Sequence, residues 1–240
     1  MADPDDDDLQ LSASTLAALQ EFIKEKTDAE AKFQALKEAA HREADAAAEL
    51  ARKVDMVDFK EDWQLSQFWY SDSTRDKLAA EALRHTPPGG RVGCVSSPSA
   101  YVTLKRTSPA SLLEGRELFV FEFDRRFDVY GNEFVFYDYS SPTDLDEQEG
   151  RRPLRATFDF LIIDPPFLSD ECWTKTAQTA RWLGKPDCKF LVCTGQVMGP
   201  KVCAELGCVQ TTFLPEHQNG LKNEFRSYIN YESEALRRVK

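Results

Sequence analysis

Seven short apolar runs, separated by helical or loop stretches, constrain this chain more than any other feature. They are Arg91 to Val95, Glu117 to Phe123, Glu133 to Tyr137, Phe158 to Ile163, Lys189 to Thr194, Val209 to Leu214 and Phe225 to Tyr231. Most are continuously apolar instead of alternating, the pattern of strands covered on both faces. Between them, Ser169 is placed to cap a helix whose first turn carries Asp170 and Glu171, and Gly184 to end it. Pro200 and Gly207 bound a shorter helix. A β-α alternation of this kind predicts an α/β fold, a seven-stranded, mostly parallel, doubly wound sheet of Rossmann-like type. Such sheets bind ligands beyond the carboxyl ends of their strands, near the switch point.

Upstream of these runs the texture differs, and two parts are expected: residues 1–57, an acidic tail with a helical extension, and residues 58–240, the α/β domain. Ser12 precedes an i, i+3, i+7 stripe of Leu16, Leu19, Phe22 and Ile23. Ala29 to Lys53 is rich in Ala, Glu, Lys and Arg without Gly or Pro, which reads as a solvated surface or linker helix. No stretch approaches the roughly 20 apolar residues of a membrane span. With no Cys-x-x-Cys pair and only His41, His85 and His217, no zinc spacing is present, so no metal is expected. Cys94, Cys172, Cys188, Cys193, Cys203 and Cys208 read as buried thiols of a cytoplasmic protein. The net charge is −11, of which five negative charges belong to Asp3 and Asp5 to Asp8. Binding a phosphate backbone requires clustered Lys and Arg, which this chain lacks, so a basic protein surface is the expected partner and nucleic acid is not.

The residues with chemical potential fall at run ends. Glu122, directly after an apolar triplet, is placed to accept hydrogen bonds from the ribose hydroxyls of a nucleoside cofactor, with Asp124 the second candidate. Solvated acids paired with Arg125 or Arg126 are the bland alternative. Asp138 follows the next run and could hold an adenine amino group, or serve only as a turn residue before Ser140, Ser141 and Pro142. After the first run comes Ser96-Ser97-Pro98-Ser99 in place of a glycine-rich loop. That disfavours a pyrophosphate cofactor and a dinucleotide oxidoreductase. The hydroxyls of Ser96, Ser97 and Ser99 suit the methionine carboxylate of S-adenosylmethionine, or form an ordinary serine turn. The strongest feature is Asp164-Pro165-Pro166-Phe167. Two prolines stop a strand and stiffen the turn, which suits a reaction needing an in-line approach at near-attack distance. Asp164 and the Pro165 carbonyl could accept a nucleophile's N–H, while Phe167 offers a flat face to a base or an alkylammonium. A Pro-Pro turn that merely ends a core strand is the alternative.

Asp164-Pro165-Pro166-Phe167 resembles the Asp/Asn-Pro-Pro-Phe/Tyr motif of methyltransferases that modify exocyclic or side-chain nitrogens. The wider pattern resembles the eukaryotic elongation factor 1-alpha lysine methyltransferases, once described as adenine-specific DNA methyltransferases. It is carried by Trp63 to Ser71, Phe121 to Phe127, Glu133 to Tyr139, Phe158 to Phe167 and Asn223 to Arg226. The resemblance spans about Leu11 to Tyr231, with Ala29 to Lys53 as an insertion. It implies a class I methyltransferase fold, S-adenosylmethionine as donor, and a lysine of elongation factor 1-alpha as target. Carried over, Glu122 and Asp138 would bind donor, and Asp164, Pro165, Pro166 and Phe167 would form the reaction centre. The segment over Trp63 to Tyr70 would cover the site, with Gln67 on the cofactor side and Trp69 and Tyr70, like Phe167, against the substrate. A monomer is expected.

The implied chemistry is direct transfer to a lysine ε-amine, which must first lose a proton from an ordinary pKa of about 10.4. Burial against Phe167 and Trp69 would favour that loss, while an ionised Asp164 would oppose it, so orientation is the expected role of Asp164. Two rivals are an adenine N6-methyltransferase for DNA or RNA and a non-catalytic binding module of the same fold.

Overall fold

The computed structural model describes residues 55–107, 113, 115–145, 153–221 and 223–239. The expectations for the acidic tail, for Leu16 to Ile23 and for the Ala29 to Lys53 helix lie outside these residues.

Among the described residues, four helices and seven strands carry the fold. In chain order they are α1 (Asp72–His85), β1 (Arg91–Val95), α2 (Pro98–Thr107), β2 (Glu117–Glu122), β3 (Phe134–Phe136), β4 (Phe158–Ile163), α3 (Asp170–Leu183), β5 (Gly184–Gly195), α4 (Gly199–Leu206), β6 (Val209–Gln210) and β7 (Phe225–Ile229). The sheet order is β3-β2-β1-β4-β5-β7-β6. β1 pairs in parallel with both β2 and β4, β2 with β3, and β4 with β5. Only β7 runs against its neighbours β5 and β6. Chain order reverses at β1, whose two neighbours are β2 and β4, so the switch point lies beyond Val95 and Ile163.

The continuous apolar runs are explained by two cores. Along β1, Val92 and Cys94 face one cluster, shared with Leu78 and Ala82 of α1 and Leu104 of α2; Val95 faces the other, with Trp173, Ala177 and Leu183 of α3 and Val202 of α4. β4 divides likewise, with Phe160 and Ile162 in the first core and Phe158, Leu161 and Ile163 in the second. Period-2 alternation is still present, but both faces are apolar. Gly93 shows how tight the second core is, since a Cβ there would lie 2.6 Å from the Leu161 side chain.

The helix punctuation behaves as read, with one difference. Ser169 caps α3 by accepting from the Cys172 amide, and Gly207 closes α4 in the left-handed region at φ 63°. Gly184 ends α3 in extended geometry and is itself the first residue of β5, so this helix passes directly into a strand. The run from Val209 to Leu214 yields only two paired residues, because the chain turns away to bridge Arg238 at Thr211 and leaves Leu214 exposed. All six cysteines are free; five are buried, and Cys203, against expectation, is exposed. Among the described residues no group of acids, histidines or cysteines is arranged to hold a metal, and no helix is long and apolar enough to cross a membrane.

Candidate active site

The carboxyl ends of β1, β2, β3 and β4 open into a cavity of about 570 Å³. Ser96, Ser97, Pro98 and Ser99 line it after β1, Glu122 and Phe123 after β2, Tyr137 to Tyr139 after β3, and Asp164 to Leu168 after β4. Register creates this convergence. Val95 sits opposite both Phe121 and Ile163, so three neighbouring strands end together and their following residues share one rim. Backbone bonds continue past the strands, from Ser96 N to Phe121 O at 2.8 Å, Asp164 N to Val95 O at 3.0 Å and Tyr137 N to Glu122 O at 3.0 Å.

Two further segments close the cavity, Gln64 to Trp69 from the amino-terminal side and His217 to Phe225 from the loop before and into β7. They are joined in antiparallel fashion, Gln218 N donating to Trp69 O at 2.9 Å and Ser71 N to Glu216 O at 2.8 Å. Two of the three non-glycine residues with positive φ line this cavity, Ser66 at 54° and Ser96 at 50°. Such backbone strain persists only where surrounding structure enforces it, and it concentrates at functional sites.

The electrostatics are one-sided. Glu122, Asp138 and Asp164 line the cavity, whereas no lysine or arginine among the described residues does. Burial pushes the Glu122 carboxyl up to about 7, against the pull of hydrogen bonds from the Asp124 and Phe123 amides. Both of those bonds fall on Oε1, at 3.2 and 3.0 Å, which leaves Oε2 available. Burial pushes Asp164 up to about 8, opposed by the nearby Tyr70 hydroxyl and reinforced by Glu122. His217 is pushed down to about 4 by burial, so its ring is neutral at physiological pH. The buried Ser97 hydroxyl, just before α2, has no hydrogen-bond partner among the described residues. Aromatic faces complete the wall. Phe167 is 41% exposed and meets Tyr139 edge-on at 5.8 Å; His217 meets Phe225 at 4.7 Å.

Several expected site residues are placed otherwise. Asp124 does not line the cavity. Its Oδ1 accepts from the Arg126 amide, and its Oδ2 from Gln67 Nε2 at 2.9 Å and Arg126 Nε at 2.8 Å. Burial alone would raise this carboxyl, but those bonds hold it below the usual carboxylate range. Gln67 reaches the cavity wall, yet its amide is occupied, since Oε1 accepts from the Asp62 amide and Arg126 Nη2. Both residues therefore pin the covering segment. Trp69 lines the cavity with its indole N–H committed to Phe59 O at 2.9 Å. Tyr70, expected against the substrate, does not line the cavity; it is 1% exposed, with its ring tilted against His217 at 4.8 Å. The reading of single residues missed His217, Tyr139 and Phe225. For the last, the signal was the matched segment Asn223 to Arg226, which had been given no role.

A seven-stranded sheet of this order with one antiparallel strand, opening on strand-end carboxyls and a serine turn, defines a class I methyltransferase. The model of a family described as "Probable N6-adenine methyltransferase" matches residues 61–233. "EEF1A lysine methyltransferase 1" of Gallus gallus is 43% identical over 97% of this chain and 99% of its own length, and that of Homo sapiens 42% over 97% of each. "Protein-lysine N-methyltransferase EFM5" of Saccharomyces cerevisiae is 38% identical over 92% of each chain. The chain belongs to this family of protein-lysine methyltransferases.

Proposed function

We propose that this chain transfers a methyl group from S-adenosylmethionine to the ε-amine of a lysine on elongation factor 1-alpha. The observation that carries the reading is the cavity rimmed by Glu122, Asp138 and Asp164, which no lysine or arginine among the described residues lines. Such a site favours a cationic side chain and a cationic sulfonium donor over a polyanion. An adenine in DNA or RNA would bring phosphates to this rim, and among the described residues no lysine or arginine lines it to receive them. The relatives' names point to the same substrate.

S-adenosylmethionine, when bound, supplies a methyl group on a positively charged sulfur. Glu122 Oε2 would accept from its ribose hydroxyls and Asp138 from its adenine amino group. The unpaired Ser97 hydroxyl, with Ser96, Ser99 and the first amides of α2, would hold its carboxylate. Phe167, Tyr139 and Trp69 form walls against which the aliphatic stem of lysine rests, and their low polarity lowers the pKa of the entering ammonium. With Asp164 near 8, the carboxyl and the ammonium titrate in overlapping ranges. Both protons leave to solvent, one from the carboxyl and one from the ammonium, so that a carboxylate faces a neutral amine with its lone pair free. Asp164 and the Pro165 carbonyl then accept the amine N–H groups, turning the nitrogen lone pair away from the Asp-Pro-Pro turn. Proline rigidity holds that geometry without further ordering. Free thiols fit a reducing compartment, so the reaction is assigned to the cytoplasm.

The test is purified enzyme with isotopically labelled donor, offered elongation factor 1-alpha and nucleic acid separately. Label on a lysine of the protein alone is the expected result; label on adenine alone overturns the reading.

A further inference from the structure

Tyr70 is built into the structure more firmly than a covering residue requires. Its neighbours Trp69 and Ser71 are hydrogen-bonded to Gln218 and Glu216, and its ring packs at a tilt against His217. The side chain is 1% exposed, yet its hydroxyl makes no hydrogen bond of ordinary geometry. A buried, unpaired hydroxyl is costly and calls for a partner. The polar groups near it are the Asp164 carboxyl at the end of β4 and the Cys193 thiol on β5. Burial keeps Cys193 neutral by raising its pKa, and a thiol is a weak acceptor. Of these two, an ionised Asp164 is the strong acceptor.

We propose that Tyr70 is a positioning residue whose buried hydroxyl is the reserved donor for the Asp164 carboxylate, so that it acts on the reaction through Asp164 without touching substrate. While Asp164 carries its proton, the Tyr70 O–H gains little. When that proton leaves to solvent, the O–H becomes a charge-assisted donor, which stabilises the carboxylate and fixes its rotation. The remaining groups around the pair do not substitute for it. Glu122, from β2, carries like charge and disfavours ionisation of Asp164, while His217, from the facing loop, is neutral and packs at a tilt against the ring with Glu61 beyond it.

The effect on rate rests on the methyl-transfer reading, whereas the pairing itself does not, and the experiment separates the two. In ligand-free protein, carbon-13 NMR of the Asp164 carboxyl is titrated in wild type and in Tyr70→Phe, which removes only the oxygen. The Phe variant should titrate about one unit higher. Should that variant fold poorly, 3-fluorotyrosine at position 70, a stronger donor of nearly the same size, should shift the midpoint downward. Coincident titrations in wild type and variant overturn the proposal. In turnover, Tyr70→Phe should lower kcat about tenfold at pH 7, recover toward wild type as pH rises, and leave donor affinity unchanged. A uniform loss across pH overturns the catalytic part. Absence of methyl transfer by wild type would instead remove the functional reading and leave the NMR result to judge the pairing.

Discussion

The two ends of the central strands treat acidic residues in opposite ways. At the amino ends, Glu117 of β2 pairs with Arg91, and Asp159 of β4 pairs with Lys185 at 2.6 Å while accepting the Arg91 amide at 2.9 Å. At the carboxyl ends, Glu122 of β2 and Asp164 of β4 are drawn into a cavity that no lysine or arginine among the described residues lines, and burial raises both. The same two strands thus carry compensated acids at one end and uncompensated acids at the other. A buried carboxylate without a cation is unfavourable for stability, so its persistence marks a place where a ligand supplies the missing partner.

The comparison is tested most severely at Asp164. Asp164→Ala should cut methyl transfer about 10²-fold or more while donor binding persists, as read by single-turnover kinetics and calorimetry. Turnover near wild type would remove Asp164 from the reaction. Glu122→Ala should act on donor affinity instead, weakening it about 10- to 100-fold, the loss expected for hydrogen bonds to a charged acceptor. An unchanged dissociation constant would break the assignment of that carboxyl to the donor. The converse holds at the amino ends. Asp159→Ala should cost about 1–3 kcal/mol of stability, because it frees the Arg91 amide and Lys185, and leave kcat intact. A kinetic defect without a stability defect there would erase the distinction between the two ends.

The pH dependence of stability is the most diagnostic of burial. Asp164 has a folded pKa of about 8, above the unfolded value near 3.9, so the native state holds the extra proton between those limits. Stability contributed by this group is therefore present below about pH 4 and lost as pH rises toward 8. Asp164→Asn removes that dependence. Its melting temperature should match wild type near pH 4 and exceed it at pH 8, by roughly 2–4 °C for each kcal/mol. A difference independent of pH would mean that Asp164 titrates normally.

Much of this was legible in the order of residues. Seven apolar runs and their punctuation gave the doubly wound sheet, since both faces must be covered and the chain can supply helices only between strands. The Asp-Pro-Pro-Phe corner and Glu122 stood out because acids directly following apolar runs have few bland explanations. Asp124 was misjudged for an equally local reason. Two residues beyond Glu122 it carries the same charge, and nothing nearby in sequence says that Gln67, 57 positions earlier, donates to it. Tyr70 and His217 meet through a bridge across 147 residues, a distance at which spacing conveys no register.

What the sequence determined by itself was pattern: which stretches alternate, where they stop, and which acids end them, because these follow from local sterics and from hydrophobicity summed along the chain. What only the tertiary structure decided was company. Whether a carboxyl meets an arginine, a backbone amide or an empty cavity depends on strand register and on loops closing from both ends of the domain. Charge acts strongly in a low-dielectric interior, so that company determines the role of each acid.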